Sequence, residues 1–230
     1  MIRSLLLLLS GLLALAPAFA AEEPGARTIL LVRHGEYDAD PAADPRLGPH
    51  LSALGVAQAQ LLGARLAALP GGITGLHVSP LQRARDTAAA IGEELPGRSF
   101  DTIADLAECT PPTRREAAMK GEKAEDLAAC QVQLERVFAA WFKPASGGER
   151  SDLFVCHGNV IRYLVTRALG VDPKAWLEMS VGHASITRIR VKADGSMQVL
   201  SVGDVGHLPP NLQSGTSADP ERSLEVPVLP

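Results

Sequence analysis

The chain contains neither a C-x-x-C nor an H-E-x-x-H pattern, and none of its histidines or cysteines fall at metal-ligand spacing. That excludes the common zinc arrangements and predicts a site without metal or cofactor. Excess positive charge is also missing: 22 Lys and Arg stand against 26 Asp and Glu, a net charge of −4. Such a surface argues against nucleic acid or anionic lipid as a partner, so basic groups needed at a site must be gathered locally. Membrane-spanning length is lacking as well. The apolar run Leu5 to Ala16 falls well short of the roughly 20 residues that cross a bilayer, which argues against stable insertion. Cysteine is scarce and odd in number: of three, at least one is unpaired within the monomer. Cys156, ending an apolar run, is the expected free thiol. Whether Cys109 and Cys130 bridge stays open, because nothing in the sequence fixes their separation.

The amino terminus has a lone Arg3, that apolar core, and then Ala18-Phe19-Ala20, a small-x-small cleavage site. This reads as a secretory signal peptide over residues 1–20 and predicts a periplasmic or secreted protein beginning at Ala21. Residues 21–210 suffice for one well-buried α/β domain. Past Pro210 the chain turns polar, proline-rich and nonperiodic, so residues 211–230 read as a mobile tail.

Two segments share one plan. Thr28-Ile29-Leu30-Leu31-Val32 delivers Arg33-His34-Gly35, and Leu153-Phe154-Val155-Cys156 delivers His157-Gly158. Each is a buried strand with a histidine at its carboxyl end, where open α/β sheets bind ligands. Between them lies Ser79-Pro80-Leu81-Gln82-Arg83-Ala84-Arg85-Asp86-Thr87-Ala88, a helix start with Arg83 in its first turn. Ser52 is expected to cap a helix to about Leu69, with further helices over 81–95, 124–142 and 158–169. Ser185 to Val191 and Gln198 to Val202 read as paired strands around Asp194-Gly195. Leu106 to Gly121, with Pro111-Pro112, reads as an irregular wall over the sheet.

In order and spacing these segments resemble the histidine phosphatase superfamily, the phosphoglycerate-mutase-like enzymes, with their RHG, SPLxRAxxTA and HG motifs. Within it the segment Cys156-His157-Gly158-Asn159-Val160-Ile161-Arg162-Tyr163, with Ser185-Ile186-Thr187 and Gly203-Asp204, is most similar to the mitochondrial serine/threonine protein phosphatases. The resemblance spans about Thr28 to Pro210. It implies a three-layer α/β/α fold, with a mostly parallel open sheet and helices on both faces, and a phosphorylated substrate, protein or small molecule. Two departures stand out: no tryptophan-containing multimerisation segment precedes the catalytic region, and the amino terminus reads as a secretory signal. The oligomeric state is therefore left open.

A phosphate monoester carries close to two negative charges, and transferring its phosphoryl group calls for fixed donors around its oxygens and an in-line nucleophile. Arg33, Arg83 and His157 are the expected phosphate binders, since guanidinium donates a bidentate fork and stays charged. The resemblance makes His34 the nucleophile that forms a phosphohistidine, which requires His34 neutral beside a charged His157. Helix amino termini are expected after both histidines. By position the resemblance also offers Glu108 as the acid that protonates the leaving oxygen, with Glu36 as competitor. His183 borders the pocket in related enzymes and is a candidate substrate contact. Arg114 and Arg115, with Lys120 and Lys123, either steer an acidic phosphorylated substrate or form a solvated surface run. The rival readings are a small-molecule (sugar or lipid-linked) phosphatase, a phosphoglycerate-type mutase, and a non-catalytic module that binds phosphorylated ligands.

Overall fold

The computed structural model describes residues 23–215, so the expected signal peptide at 1–20 and residues 216–230 of the expected tail lie outside the described residues. Its sheet is built on β2 (Arg27–Arg33) and β6 (Arg150–Cys156), the two histidine-bearing strands, which pair in parallel with Val32 opposite Val155 and Arg33 opposite Cys156. This register is what brings His34 and His157 level at one sheet edge. Outside β6 run β3 (Gly75–Val78) and β4 (Asp101–Thr102), each parallel to its neighbour; outside β2 run β7 (Ile186–Val191), antiparallel to β2, and β8 (Met197–Asp204), antiparallel to β7 and so directed like β2. The order β4-β3-β6-β2-β7-β8 is thus the mostly parallel open sheet expected. A two-residue ribbon, β1 (Pro24–Gly25) with β5 (Ala145–Ser146), adds a small antiparallel pair.

Alternate residues of β2 and β6 feed two separate cores, as a period of two requires when both faces are covered. Leu30, Val32, Leu153 and Val155 pack on Leu62, Leu66, Ala84 and Ile91 of α1 (Ala53–Ala67) and α2 (Gln82–Glu93). Ile29, Leu31, Phe154 and Cys156 pack on Leu134, Val137, Val160 and Leu164 of α3 (Ala124–Trp141) and α4 (Gly158–Leu169). Helices therefore cover both faces, giving three layers. Ser52 caps α1 by accepting from the Gly55 N–H, the bond its position predicted. Cys109 and Cys130 form a disulfide, and Cys156 is a buried free thiol.

The body does not end at Pro210. Residues 211–215 fold back so that Ser214 and Gly215 are buried, the Ser214 carbonyl accepting from the His183 N–H at 2.9 Å. The expected tail is corrected for these five positions: main-chain carbonyls and the Ser214 hydroxyl, which meets Gln58 Nε2 and His183 Nδ1 at 2.9 Å each, hold them through partners far away in the chain that no local pattern marks. No helix among the described residues is long and apolar enough to cross a membrane.

Candidate active site

His34 is buried at the end of β2, its N–H bonded to the Cys156 carbonyl of β6 at 3.0 Å. Its Nδ1 lies 2.7 Å from the Gly35 carbonyl, an obligate acceptor, which assigns the ring proton to Nδ1 and leaves the lone pair on Nε2. Arg83 Nε donates to that Nε2 at 3.1 Å. Burial, then the charges of His157, Arg33 and Arg83, hold the His34 pKa well below its ordinary value. A neutral imidazole with a free lone pair is the form a nucleophile needs.

Gly35 is required by close approach. A Cβ there would stand 2.5 Å from the Gly55 carbonyl oxygen of α1. Its N–H donates to Thr87 Oγ1 at 3.0 Å, and the Thr87 hydroxyl donates in turn to the Arg83 carbonyl at 2.8 Å, so the first and second motifs are tied one helical turn below Arg83. Arg83 lies over the Tyr37 ring at 4.9 Å, and Tyr37 in turn meets His34 edge-on. The helix amino terminus expected after each histidine appears only at His157, where α4 starts at once; after His34 a loop runs to α1, because Pro41, Pro45 and Pro49 interrupt the chain there.

His157 is fully buried, 5.0 Å ring to ring from His34, with Nε2 2.7 Å from Ser79 Oγ. Its Nδ1 faces Glu108 Oε2 at 3.8 Å, beyond hydrogen-bonding reach. The expected charged His157 is corrected. Burial and the cations Arg83 and Arg33 push its pKa well below the ordinary range, which favours the neutral imidazole.

Arg33 donates through Nη1 to the carbonyls of Val181 and Gly215, both at 2.7 Å, and burial lowers its pKa to about 10 while Glu108 opposes the fall. Glu108 accepts from the Asn159 N–H at 3.2 Å. Burial lifts its carboxyl to about 7 against the pull of Arg33, Arg83 and Arg162, leaving a substantial protonated fraction at neutral pH. His183 is buried against Ser214, its ring 5.5 Å from His34, and burial with Arg33 and Arg83 lowers its pKa to about 3. Arg33, His34, Arg83, Glu108, His157 and His183 thus converge on one place.

The remaining candidates lie elsewhere. Glu36 sits at the cap of α1, its carboxylate accepting weakly from Ser52 Oγ at 3.4 Å. Arg114 pairs with Asp172 at 3.5 Å, and Arg115 forks onto Glu178 at 2.7 and 3.3 Å, so each arginine already has a carboxylate partner on the neighbouring segment. His77 packs between Trp141 and Phe154, away from the site. Among the described residues no group of three His, Cys, Asp or Glu is placed to hold a metal ion. Sequence reasoning passed over Tyr37, Ser79, Thr87 and Arg162 as individual actors. Arg162, four residues after Gly158 on α4 and therefore on its face, stacks on Trp176 and bonds Asn159 at 2.6 Å. That spacing was the available signal.

The histidine phosphatase superfamily (branch 1) model matches residues 29–112 and 96–204. The mitochondrial serine/threonine-protein phosphatase Pgam5 of Caenorhabditis briggsae is 38% identical over 195 residues, covering 83% of this chain and 67% of the relative. The human mitochondrial PGAM5 is 33% identical over 193 residues, covering 80% of this chain and 65% of the relative. Among solved structures, a phosphoglycerate mutase from Plasmodium falciparum superposes with a TM-score of 0.56 at 26% identity, covering 80% of this chain and 95% of that one. The chain spans about two thirds of the length of these curated relatives. The expected periplasmic or secreted location is corrected by them: they are mitochondrial proteins, and an apolar amino terminus followed by small residues was too general a signal to carry an export assignment. With its strand-end histidines, arginines and buried carboxylic acid in one cluster, this chain belongs to the histidine phosphatase superfamily and is a phosphatase.

Proposed function

We propose that this protein hydrolyses phosphoserine or phosphothreonine in proteins through a phosphohistidine on His34. One observation carries the mechanism. Arg33 Nε, His157 Nδ1 and His183 Nε2 are all buried without a hydrogen-bond partner, and all belong to side chains gathered around His34. Buried polar atoms are ordinarily satisfied, and several orphans in one place call for a ligand rich in acceptor oxygens. A tetrahedral phosphate fits that need.

In the first step His34 Nε2 attacks phosphorus in line with the leaving oxygen, once Arg83 Nε has turned from Nε2 to a phosphate oxygen. The P–O bond to the substrate breaks as Glu108 gives its proton to the departing alkoxide. Water then attacks the phosphohistidine, the Glu108 carboxylate takes the proton back, and His34 recovers its lone pair with release of inorganic phosphate. Arg33, Arg83 and His157 hold the equatorial oxygens throughout. The substrate class rests on the relatives named as serine/threonine-protein phosphatases.

A kcat/KM panel of Ser/Thr-phosphopeptides, phosphotyrosine peptides, sugar phosphates, phosphoglycerates and nucleotides tests this reading. Phosphoserine and phosphothreonine peptides should rank first. A sugar phosphate or nucleotide ranking well above them would overturn the protein-phosphatase assignment, and transfer of phosphate between hydroxyls of a glycerate would favour a mutase.

A further inference from the structure

The short segment that carries Glu108 is grasped by three residues of α3 spread over fewer than two turns. Cys130 is covalently joined to Cys109, Gln133 Nε2 donates to the carbonyls of Asp105 and Ala107 at 3.0 and 2.9 Å, and Arg136 forks onto the Asp105 carboxylate at 2.9 and 2.7 Å. Residues three apart are neighbours on a helix surface, so these three tethers form one oblique row across it. On the other side α4 holds the same segment through Asn159, whose Nδ2 donates to the Cys109 carbonyl at 3.0 Å and whose N–H donates to Glu108. Glu108 is slung between two helices.

The tethers are unequal. Gln133 and Arg136 act before Glu108 in the chain, on residues 105 and 107; from α3, the disulfide alone acts after it. α3 is itself lightly anchored, burying only Cys130, Leu134 and Val137 among its 18 residues. The chain around Glu108 has no strand or helix of its own beyond the single turn Ala104–Leu106. A general acid must stay within hydrogen-bond reach of the leaving oxygen, and a loss of placement on the ångström scale costs rate steeply.

We propose that the Cys109–Cys130 crosslink is a positioning device for Glu108, so that proton delivery to the leaving group depends on the oxidation state of this pair. The proposal rests on the reading of Glu108 as the general acid. When a dithiol reduces the pair, the S–S bond breaks, two electrons and two protons pass to Cys109 and Cys130, and the reagent closes to its own cyclic disulfide. Cys109 is half-buried and open to such a reagent, whereas Cys156 is buried at the end of β6 and its thiol is held protonated by that burial, so it does not join the exchange. Reduction leaves the strand-end histidines and arginines where they are. Its effect is confined to the acid.

The test compares two substrates by kcat/KM, which reports phosphoryl transfer to His34: a phosphoserine peptide, whose alkoxide needs a proton, and 4-nitrophenyl phosphate, whose leaving group does not. Oxidised wild type, dithiothreitol-reduced wild type, Cys109→Ala/Cys130→Ala and Glu108→Gln are measured side by side. Reduction and the double alanine variant should each lower the peptide rate about tenfold and the aryl rate less than twofold. Glu108→Gln should show the same selectivity, larger, and reducing Glu108→Gln should cost the peptide nothing further, since the acid it positions is gone. An equal loss on both substrates, or no loss, with Glu108→Gln still selective, overturns the positioning role and leaves Glu108 as the acid. If Glu108→Gln is not selective, the acid assignment itself fails. Should the double variant not fold, reduced wild type decides the matter, because its aryl activity reports the integrity of the fold.

Discussion

The site has two halves held in different ways. At the carboxyl end of the sheet, His34 and His157 directly follow neighbouring parallel strands in fixed register, the His34 N–H bonded to the Cys156 carbonyl, with Arg83 on the first turn of a helix against His34. Across from them, Glu108 lies on an irregular wall that owes its place to side-chain tethers and one disulfide. In the proposed mechanism the sheet half binds phosphate and supplies the nucleophile, work common to every substrate. In that mechanism the wall half serves the leaving group, whose demand varies from substrate to substrate. Rigid backbone is therefore spent on the invariant chemistry, and adjustable tethers on the variable part.

The largest effect should come from the sheet half. His34→Ala should abolish turnover of all substrates, by on the order of 10⁴-fold or more, because no other lone pair is in place to attack; a stopped assay on alkyl and aryl phosphates checks this. Arg83→Ala should cost on the order of 10² to 10³, again equally for alkyl and aryl substrates, since it both orients Nε2 and meets the developing charge. A strong substrate dependence would blur the division between the halves.

In kcat/KM, which reports only phosphoryl transfer to His34, Glu108→Gln should cost about a hundredfold on a phosphoserine peptide and little on an aryl phosphate. The pH profile sharpens the same point. Glu108 works as an acid only while protonated, and its carboxyl is lifted to about 7, so peptide hydrolysis should decline as pH rises through neutrality. His34 works only while neutral, and its pKa lies well below 6.5, so activity should persist below pH 6. The aryl substrate should lack the alkaline decline. A profile that rises through pH 7 on the peptide would contradict the assignment.

The smallest effect belongs to Arg114 and Arg115. Each is half-exposed and already paired, with Asp172 and Glu178, so alanine at both should change peptide KM by less than about threefold and hardly alter its salt dependence. A larger rise in KM confined to acidic phosphopeptides would restore the steering role.

The sheet half was legible from sequence because apolar runs predict strands and the motifs say what the strands deliver: Arg33, His34, Arg83 and His157 fall where a local pattern placed them. Ser52 and the helix it caps were readable for the same reason. Glu108 was reached only by its position in a resemblance, since nothing local marks a carboxylate that becomes acidic through burial. Gly215 and Val181 hold Arg33 through main-chain carbonyls, Gly215 from 182 residues away, and no side-chain pattern encodes that. The pairing of Cys109 with Cys130 likewise depended on where the wall meets α3.

The most direct test of the phosphohistidine is to mix enzyme with a ³²P-labelled phosphoserine peptide, quench in denaturing alkali within one turnover, and follow protein-bound label by gel and peptide mapping. The account predicts label on the peptide containing His34, stable in alkali, lost in acid, and absent from His34→Ala. Label on another residue, or label that persists in His34→Ala, would contradict it.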